Sequence, residues 1–375
     1  MSDRPASLVA RIVRAAEEHP ERVAVVCDGV HVSYRALIAS AFDVAGRLRS
    51  LGIRFDEPVG IASIRGAEFV AGAIGAMAAG GCYLPLDVTQ PGERLRMLVA
   101  RSGIRLALAP DTCAWLGDVR DLLPVAISTS TSAVSFDVTQ NDSQLAYQLF
   151  TSGSTGVPKL VPIEQRSVCA LLDGIDAIAR PKASVISTCV CPFSFDVSVW
   201  ELFSALANAG TVHILSTGLT DPAKFVRYLA DHAVTSVYIP PFVLDSFVDE
   251  LHLCGGARAL DRILVGVEPI TQATLQRLRD LSPDLHILNG YGPTEATICS
   301  TIFPFKQAHE PNKRTPIGWP VPGWRVDVVD SDLSPVADGA NGEIVVGGPG
   351  LAHGYVGDPW QPGQRVDRRQ CDLCV

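Results

Sequence analysis

The sequence predicts an α/β protein: two helix-covered, mostly parallel sheets in a large N-terminal core, plus a smaller C-terminal antiparallel β unit. Three observations carry this. Short apolar runs alternate with amphipathic helical stretches through most of the chain, the pattern of parallel sheets covered on both faces. The pattern changes after about residue 310, where "PNKRTPIGWPVPG" leads into "WRVDVVD" and "GEIVVGG", which read as antiparallel strands. Finally, 375 residues with 47% hydrophobic and 19% charged content supply a sizeable core and suggest about two domains. Residues 1–310 are expected to form the α/β core, 311–359 an incomplete β-rich subdomain, and 360–375 a divergent tail.

Each element has a local reason. Leu8, Val9, Ile12, Val13 and Ala16 line one face of a helix that ends near His19-Pro20. "VAVVC" and "VHV" flank Asp28-Gly29, a two-residue hairpin turn. Ser33 caps a helix running to Leu51, and Gly52 suits its C′ position. Phe69 to Leu86 is an uncharged run long enough to raise a membrane span. Its Ala/Gly composition and its breakers Gly80, Gly81 and Pro85 predict a buried helix followed by a buried strand instead. Further strands are expected at Val59–Ser63, Leu106–Ala109, Leu145–Phe150, Val185–Thr188, Val212–Leu215, Ser236–Ile239, Ile263–Val265 and Leu285–Leu288. Helices are expected at Val168–Ile178, Val197–Ala207, Ala223–His232 and Gln272–Leu281, and an exposed loop at 127–137.

A net charge of −9 argues against non-specific binding to nucleic acid or an anionic membrane. The amino-terminal stretch is charged throughout and lacks the apolar core of a secretory signal. Ten cysteines are scattered, mostly in apolar runs, and Cys371-x-x-Cys374 has no second pair at zinc spacing. A reduced, cytoplasmic protein is expected. The eight histidines show no paired-ligand spacing, and neither a serine-hydrolase elbow nor a dinucleotide fingerprint is present.

The most informative stretch is "LFTSGSTGVPKLV", Leu149 to Val161. Its hydroxyls, its close-approach Gly153 and Gly156, and the cation Lys159 suit a polyphosphate. The Gly-Lys-[Ser/Thr] ending of a P-loop is absent, so this is a phosphate loop of another kind. Similar composition also makes flexible linkers. Here the apolar runs "LAYQLF" and "LVPI" bound it on both sides, which favours a loop held at its ends.

Three further segments point the same way: "FSFDVSVWELF" (193–203), "NGYGPTEAT" (289–297) and "GEIVVGGPGLAHGYVGDP" (342–359), with weaker support from "VSYRALIASAFDVAGRLRSLG" and "GAMAAGGCYLPLDVTQPGERLRMLV". In this order they resemble the amino-acid adenylation domains of nonribosomal peptide synthetases, within the adenylate-forming superfamily. The resemblance covers residues from about 20 to 359. It implies ATP-dependent activation of an amino acid as aminoacyl-AMP, with release of pyrophosphate and transfer to a carrier-protein phosphopantetheine thiol. ATP and Mg²⁺ are the implied cofactors. Such chemistry needs cations, N–H donors and a metal around phosphate oxygens.

Position by position, the resemblance assigns Thr151, Ser152, Gly153, Ser154, Thr155, Gly156 and Lys159 to the β- and γ-phosphates. Asn289, Gly290, Tyr291 and Gly292 go to the adenine side, Thr294 to the α-phosphate and Glu295 to Mg²⁺, although a helix-cap acid is also common after Pro-Thr. Lys159, Thr294 and Glu295 form the implied catalytic set. Asp196, a carboxylate among apolar residues, is costly to bury without a cation, and the resemblance pairs it with the α-ammonium of an amino-acid substrate. Asp196 also fits as N-cap of the helix that follows, and the two roles are compatible. Val197, Trp200, Tyr238, Leu264, Gly266, Gly290, Ile298 and Cys299 would line a side-chain pocket. None is charged, which fits a neutral substrate.

The chain departs from the family pattern in places. After "GYVGDP" it runs "WQPGQRVDRRQCDLCV", without the expected Tyr-x-Thr-Gly-Asp or the small domain whose lysine contacts the reacting carboxylate. A truncated chain with slowed or no turnover is therefore the alternative expectation, and an acyl- or aryl-CoA ligase is another, against which Asp196 argues. Gln165 stands where His is usual, Val267 where Gly is common, and His353 where Arg is usual.

Overall fold

A computed structural model describes residues 7–62, 65–109, 121–123, 143–151, 158–215, 221–256, 258–266 and 268–359. The expected loop at 127–137 and the Cys371–Cys374 pair lie outside these residues. In the described part, two large sheets share one main hydrophobic core, and a smaller second cluster that includes Leu84, Val99 and Ala107 packs against the first of them.

The opening elements follow the sequence closely. Helix α1 (Leu8–Glu18) buries its apolar face and starts at Ser7, whose side chain accepts from the Ala10 amide. Strands β1 (Val23–Cys27) and β2 (Val30–Ser33) form an antiparallel hairpin. Its turn residues Asp28 and Gly29 have φ of 48° and 78°, as a two-residue hairpin turn of this kind requires. Ser33 caps α2 (Tyr34–Ser50) through the Ala36 amide. The Ala/Gly run forms buried α3 (Ala67–Ala78) and buried β4 (Cys82–Pro85). Small residues let α3 approach α2 closely: a Cβ on Gly75 would stand 2.6 Å from the Ala41 carbonyl oxygen. Among the described residues no helix is long and apolar enough to cross a membrane.

The six-stranded sheet has the order β6-β5-β3-β4-β7-β8, with β3 (Pro58–Ile61), β5 (Leu106–Leu108), β6 (Asp121–Leu123), β7 (Leu145–Thr151) and β8 (Lys159–Glu164). It is parallel except for the β7–β8 hairpin, which pairs Thr151 with Lys159. The nine-stranded sheet has the order β15-β14-β13-β12-β11-β9-β10-β1-β2. Its parallel centre is β9 (Ile186–Cys189), β10 (Thr211–Ile214), β11 (Ser236–Tyr238), β12 (Arg262–Gly266) and β13 (His286–Tyr291), joined through β10 to β1. Antiparallel β14 (Thr301–Phe305) and β15 (Trp319–Pro320) close one edge. The covering helices include α5 (Gln165–Ile178), α6 (Val197–Leu206), α7 (Pro222–Asp231) and α9 (Gln272–Leu281). Beyond them, β16 (Arg325–Val329) and β17 (Glu343–Gly347) form the expected antiparallel ribbon. A short antiparallel pair, β18 (Gly354–Tyr355) and β19 (Asp358–Pro359), follows.

Sequence reading did not place α4 (Gly92–Ser102) or α8 (Pro241–Leu253). The second opens on Pro240-Pro241, which reads as a breaker yet suits a helix's first turn. Among the described residues five of seven cysteines are buried, while Cys27 is half-buried and Cys254 is exposed at the end of α8.

The loop leaving β9 is held from both sides. Fully buried Glu201 on α6 accepts the Val190 and Cys191 amides at 2.9 and 3.0 Å. Arg65 donates to the carbonyls of Cys189, Cys191 and Leu215, and Phe193 stacks on Phe69 at 3.8 Å. Burial pushes the Glu201 carboxyl up from 4.5 to about 7, against those amide bonds and nearby Arg65, which favour the charge. Its folded pKa thus exceeds the unfolded one. The stabilisation is complete below about 4.5 and is lost as pH rises towards about 7. Glu201→Gln removes this titration. Over that window the wild-type unfolding midpoint should fall relative to the variant, whereas parallel midpoints by thermal or urea denaturation would contradict the assignment.

Candidate active site

The floor of the site lies at the carboxyl ends of β12 and β13, where open α/β sheets place their ligands. Gly266 ends β12 beside its register partner Gly290. Gly266 has φ +136°, and a Cβ there would stand 2.0 Å from the Gly290 carbonyl oxygen, so only glycine fits. A Cβ on Gly290 would meet Cys299 Sγ at 2.6 Å and Leu264 Cδ1 at 3.2 Å, which brings three of the expected pocket residues together. Tyr238 pairs with Leu264 across β11 and β12. Val197 and Trp200 come from the first turns of α6, and Trp200 is fully buried, its ring under the Arg262 guanidinium at 5.4 Å.

Past β13 the chain folds back sharply. The 3₁₀ turn Thr294–Ala296 is followed by Thr297 and Ile298 at φ 60° and 68°, and antiparallel β14 then returns alongside β13. Two non-glycine residues in the left-handed region store strain, which the surroundings must over-determine. They do: Thr297 Oγ1 donates to the Gly350 carbonyl at 2.6 Å, and Ser300 N to the Tyr291 carbonyl at 2.8 Å.

This fold-back delivers Thr294 to Asp196. Thr294 Oγ1 donates to Asp196 Oδ2 at 2.7 Å. Asp196 stands at the N-cap position of α6, but it has helical dihedrals and its side chain makes no capping bond. Its carboxylate meets the Thr294 hydroxyl across the strand ends instead. Burial raises its pKa, the Thr294 hydroxyl and Val197 amide pull it down, and the negative charge of Glu295 pushes it up again. Cys299 is pushed up to about 12, by burial first and by the Asp196 charge second. Tyr238 is raised by burial, with Cys191, Glu201, Cys299 and Asp196 adding to the rise. Asp196, Tyr238 and Cys299 thus share one electrostatic neighbourhood.

The acid and the cation meet at one tyrosine. Tyr355 donates its hydroxyl to Glu295 Oε1 at 2.7 Å, and Lys159 Nζ lies 4.4 Å from the centroid of the same ring. Lys159 opens β8 opposite Thr151, so this end of the β7–β8 hairpin reaches the tyrosine that binds Glu295. Ser152, Gly153, Ser154, Thr155 and Gly156 lie outside the described residues. Asn289 is buried and donates its amide to the Pro316 carbonyl at 2.9 Å, while Tyr291 is half-buried at the end of β13. Gly292 is packed against the returning backbone, where a Cβ would stand 2.6 Å from Ser300 N.

Sequence reasoning missed Tyr355 and Glu201, although both sit inside quoted motifs. Neither has a spacing signature, because their partners Glu295, Val190 and Cys191 are set by tertiary packing. The unusual Gln165 has a local role: its Oε1 accepts Ser7 Oγ at 2.8 Å and Val9 N at 3.2 Å, tying α5 to the start of α1. His353 Nε2 lies 2.7 Å from Glu164 Oε1.

With strand-end glycines, a half-buried acid, and a lysine and a second acid that share one tyrosine, the site has the layout of an adenylate-forming ligase. The chain belongs to the AMP-binding enzyme family, which matches residues 12–356. It is 32% identical to tyrocidine synthase 3 of Brevibacillus parabrevis over 351 residues, covering 92% of this chain and 5% of that protein. It is also 32% identical to phosphinothricin tripeptide synthetase PhsC of Streptomyces viridochromogenes, over 92% of this chain and 31% of that protein. The chain thus spans a small part of the relatives it matches. The fold superposes on the AMPPNP-bound form of the nonribosomal peptide synthetase FmoA3 with a TM-score of 0.86 at 26% identity, covering 96% of this chain and 39% of that one. PA1221, a nonribosomal peptide synthetase protein with adenylation and PCP domains solved with a vinylsulfonamide inhibitor, gives 0.82 at 26% identity, covering 95% and 61%.

The two floor glycines should respond differently to substitution. Gly266→Ala drives a methyl into a backbone carbonyl at a φ that L-residues avoid, and should cost roughly 2–4 kcal/mol of stability. Gly290→Ala meets side-chain atoms that can turn away, and should cost about 1 kcal/mol. Urea denaturation of both variants checks this, and equal losses would contradict the geometry.

Proposed function

We propose that the chain activates the carboxyl group of a neutral α-amino acid as its aminoacyl-AMP, consuming ATP and releasing pyrophosphate. The product is passed to the phosphopantetheine thiol of a carrier protein. The observation that carries the reading is Asp196: a half-buried carboxylate at the start of α6, raised in pKa by burial and met by the Thr294 hydroxyl. Such a group is suited to receiving a cation. The synthetase relatives and the adenylation-PCP neighbour support the amino-acid substrate and the carrier partner. The expected pocket residues carry no charge, which supports a neutral side chain.

The residues divide the work. An α-ammonium entering beside Asp196 takes over the charge that the Thr294 hydroxyl now satisfies. Thr294 is then free to donate to an α-phosphate oxygen, so amino-acid binding prepares the phosphate side of the site. Lys159 balances β- and γ-phosphate charge at the end of the loop hairpin. Among the described residues, no group of three or more His, Cys, Asp or Glu could hold a metal. A single Glu295 suits Mg²⁺, which keeps several waters and binds through one or two carboxylates together with substrate phosphates. When bound there, Mg²⁺ supplies charge neutralisation to the phosphate oxygens. The Trp200 and Tyr238 rings and the strand-end glycines shape the wall against which the amino-acid side chain lies.

Amino-acid-dependent exchange of labelled pyrophosphate into ATP tests the reading across neutral and charged amino acids. Exchange should appear with neutral ones only. Asp196→Ala should lower it about a hundredfold or more, the order expected from unpairing a buried charge. Exchange that survives Asp196→Ala would remove the ammonium role, and preference for a charged amino acid would remove the neutral pocket.

A further inference from the structure

The segment 349–356 runs along one side of the site and has no role in the scheme above. It is tied at both ends. Pro349 O accepts Ser167 Oγ at 2.6 Å and Ala352 N donates to the Glu295 carbonyl at 2.8 Å, while Val356 N donates to Leu160 O on β8 at 2.9 Å. The Thr297 hydroxyl on the Gly350 carbonyl and the His353 ring on Glu164 add two more tethers. Tyr355 lies within this strap, and its side chain touches both charged residues: the hydroxyl on Glu295 and the ring face under Lys159.

We propose that Tyr355 is a positioning residue for the nucleotide–metal site, orienting the Glu295 carboxylate with its hydroxyl and the Lys159 ammonium with its ring. This rests on the reading that Lys159 and Glu295 serve a nucleotide polyphosphate and its Mg²⁺. The phenol engages Oε1 and leaves Oε2 for the metal. A hydrogen bond of this kind fixes a ligating carboxylate, and its loss typically weakens metal affinity by ten- to a hundredfold. The ring attracts the ammonium without neutralising it, so the cation keeps its charge for the phosphates. One side chain thus sets the distance between the two charges that a polyphosphate must bridge, and the strap carries that setting from the Glu295 turn to β8.

The test is the thermal shift induced by AMPPNP in the 375-residue chain, titrated with Mg²⁺ and repeated in EDTA. Tyr355→Phe keeps the ring and removes the hydroxyl. It should raise the Mg²⁺ concentration for half-maximal shift about tenfold, with the shift in EDTA unchanged. Tyr355→Leu also removes the ring and should reduce the shift in EDTA. In a Glu295→Gln background, Tyr355→Phe should add nothing to the Mg²⁺ requirement. A Tyr355→Phe titration that overlays the wild type overturns the positioning of Glu295, and an undiminished EDTA shift in Tyr355→Leu overturns that of Lys159. A wild-type chain that shows no AMPPNP shift at any Mg²⁺ concentration overturns the nucleotide reading itself, and this proposal with it.

Discussion

The hydrogen bond from Thr294 to Asp196 is the contact on which the site depends. It joins the turn after β13 to the first turn of α6, two elements 98 residues apart in sequence. Everything around it serves to bring those elements together. Gly266 and Gly290 remove side chains where β12 and β13 converge. Left-handed Thr297 and Ile298 reverse the chain so that Thr294 points back across the strand ends. Without the bond, Asp196 would be a half-buried carboxylate beside a second acid, with no hydroxyl to share its charge.

The approach to Asp196 is fixed by a different device. The loop between β9 and α6 has its amides on Glu201 and its carbonyls on Arg65, which reaches over from the first sheet. Phe193 completes the seam by stacking on Phe69. The two sheets are therefore coupled at the loop that presents the acid, and a displacement between them would be felt at the pocket. Glu201 is held there at an electrostatic cost, since burial opposes the charge that its two amide partners favour.

Much of this was legible in the residues. Alternating strands and helices disclosed the parallel sheets, because period and turn chemistry are local properties: Asp28-Gly29 and Ser33 specify their structures with little help from the rest of the chain. The grouping of Asp196, Thr294 and Glu295 was legible only through motif order, since their separation along the chain carries no geometry. Tyr355 and Glu201 were invisible as functional groups, although each lay in a quoted motif. A tyrosine in a short strand and a glutamate on a helix have many uses, and burial and partner choice decide among them. The α8 helix was hidden by its opening prolines, which break a helix in its interior but not at its first turn.

The β16–β17 ribbon buries little of itself, and the residue just before it, Trp324, does much to anchor it. Trp324 is buried and donates its indole N–H to the Ala296 carbonyl at 3.3 Å, one residue from Glu295. A Cβ on Gly350 would collide with that indole, so ring and strap are in direct contact. Nature has in this way installed a fluorophore against the turn that carries Glu295. With the chain's other four tryptophans replaced, emission from that indole gives a label-free optical view of the turn and its strap, without adding any foreign dye.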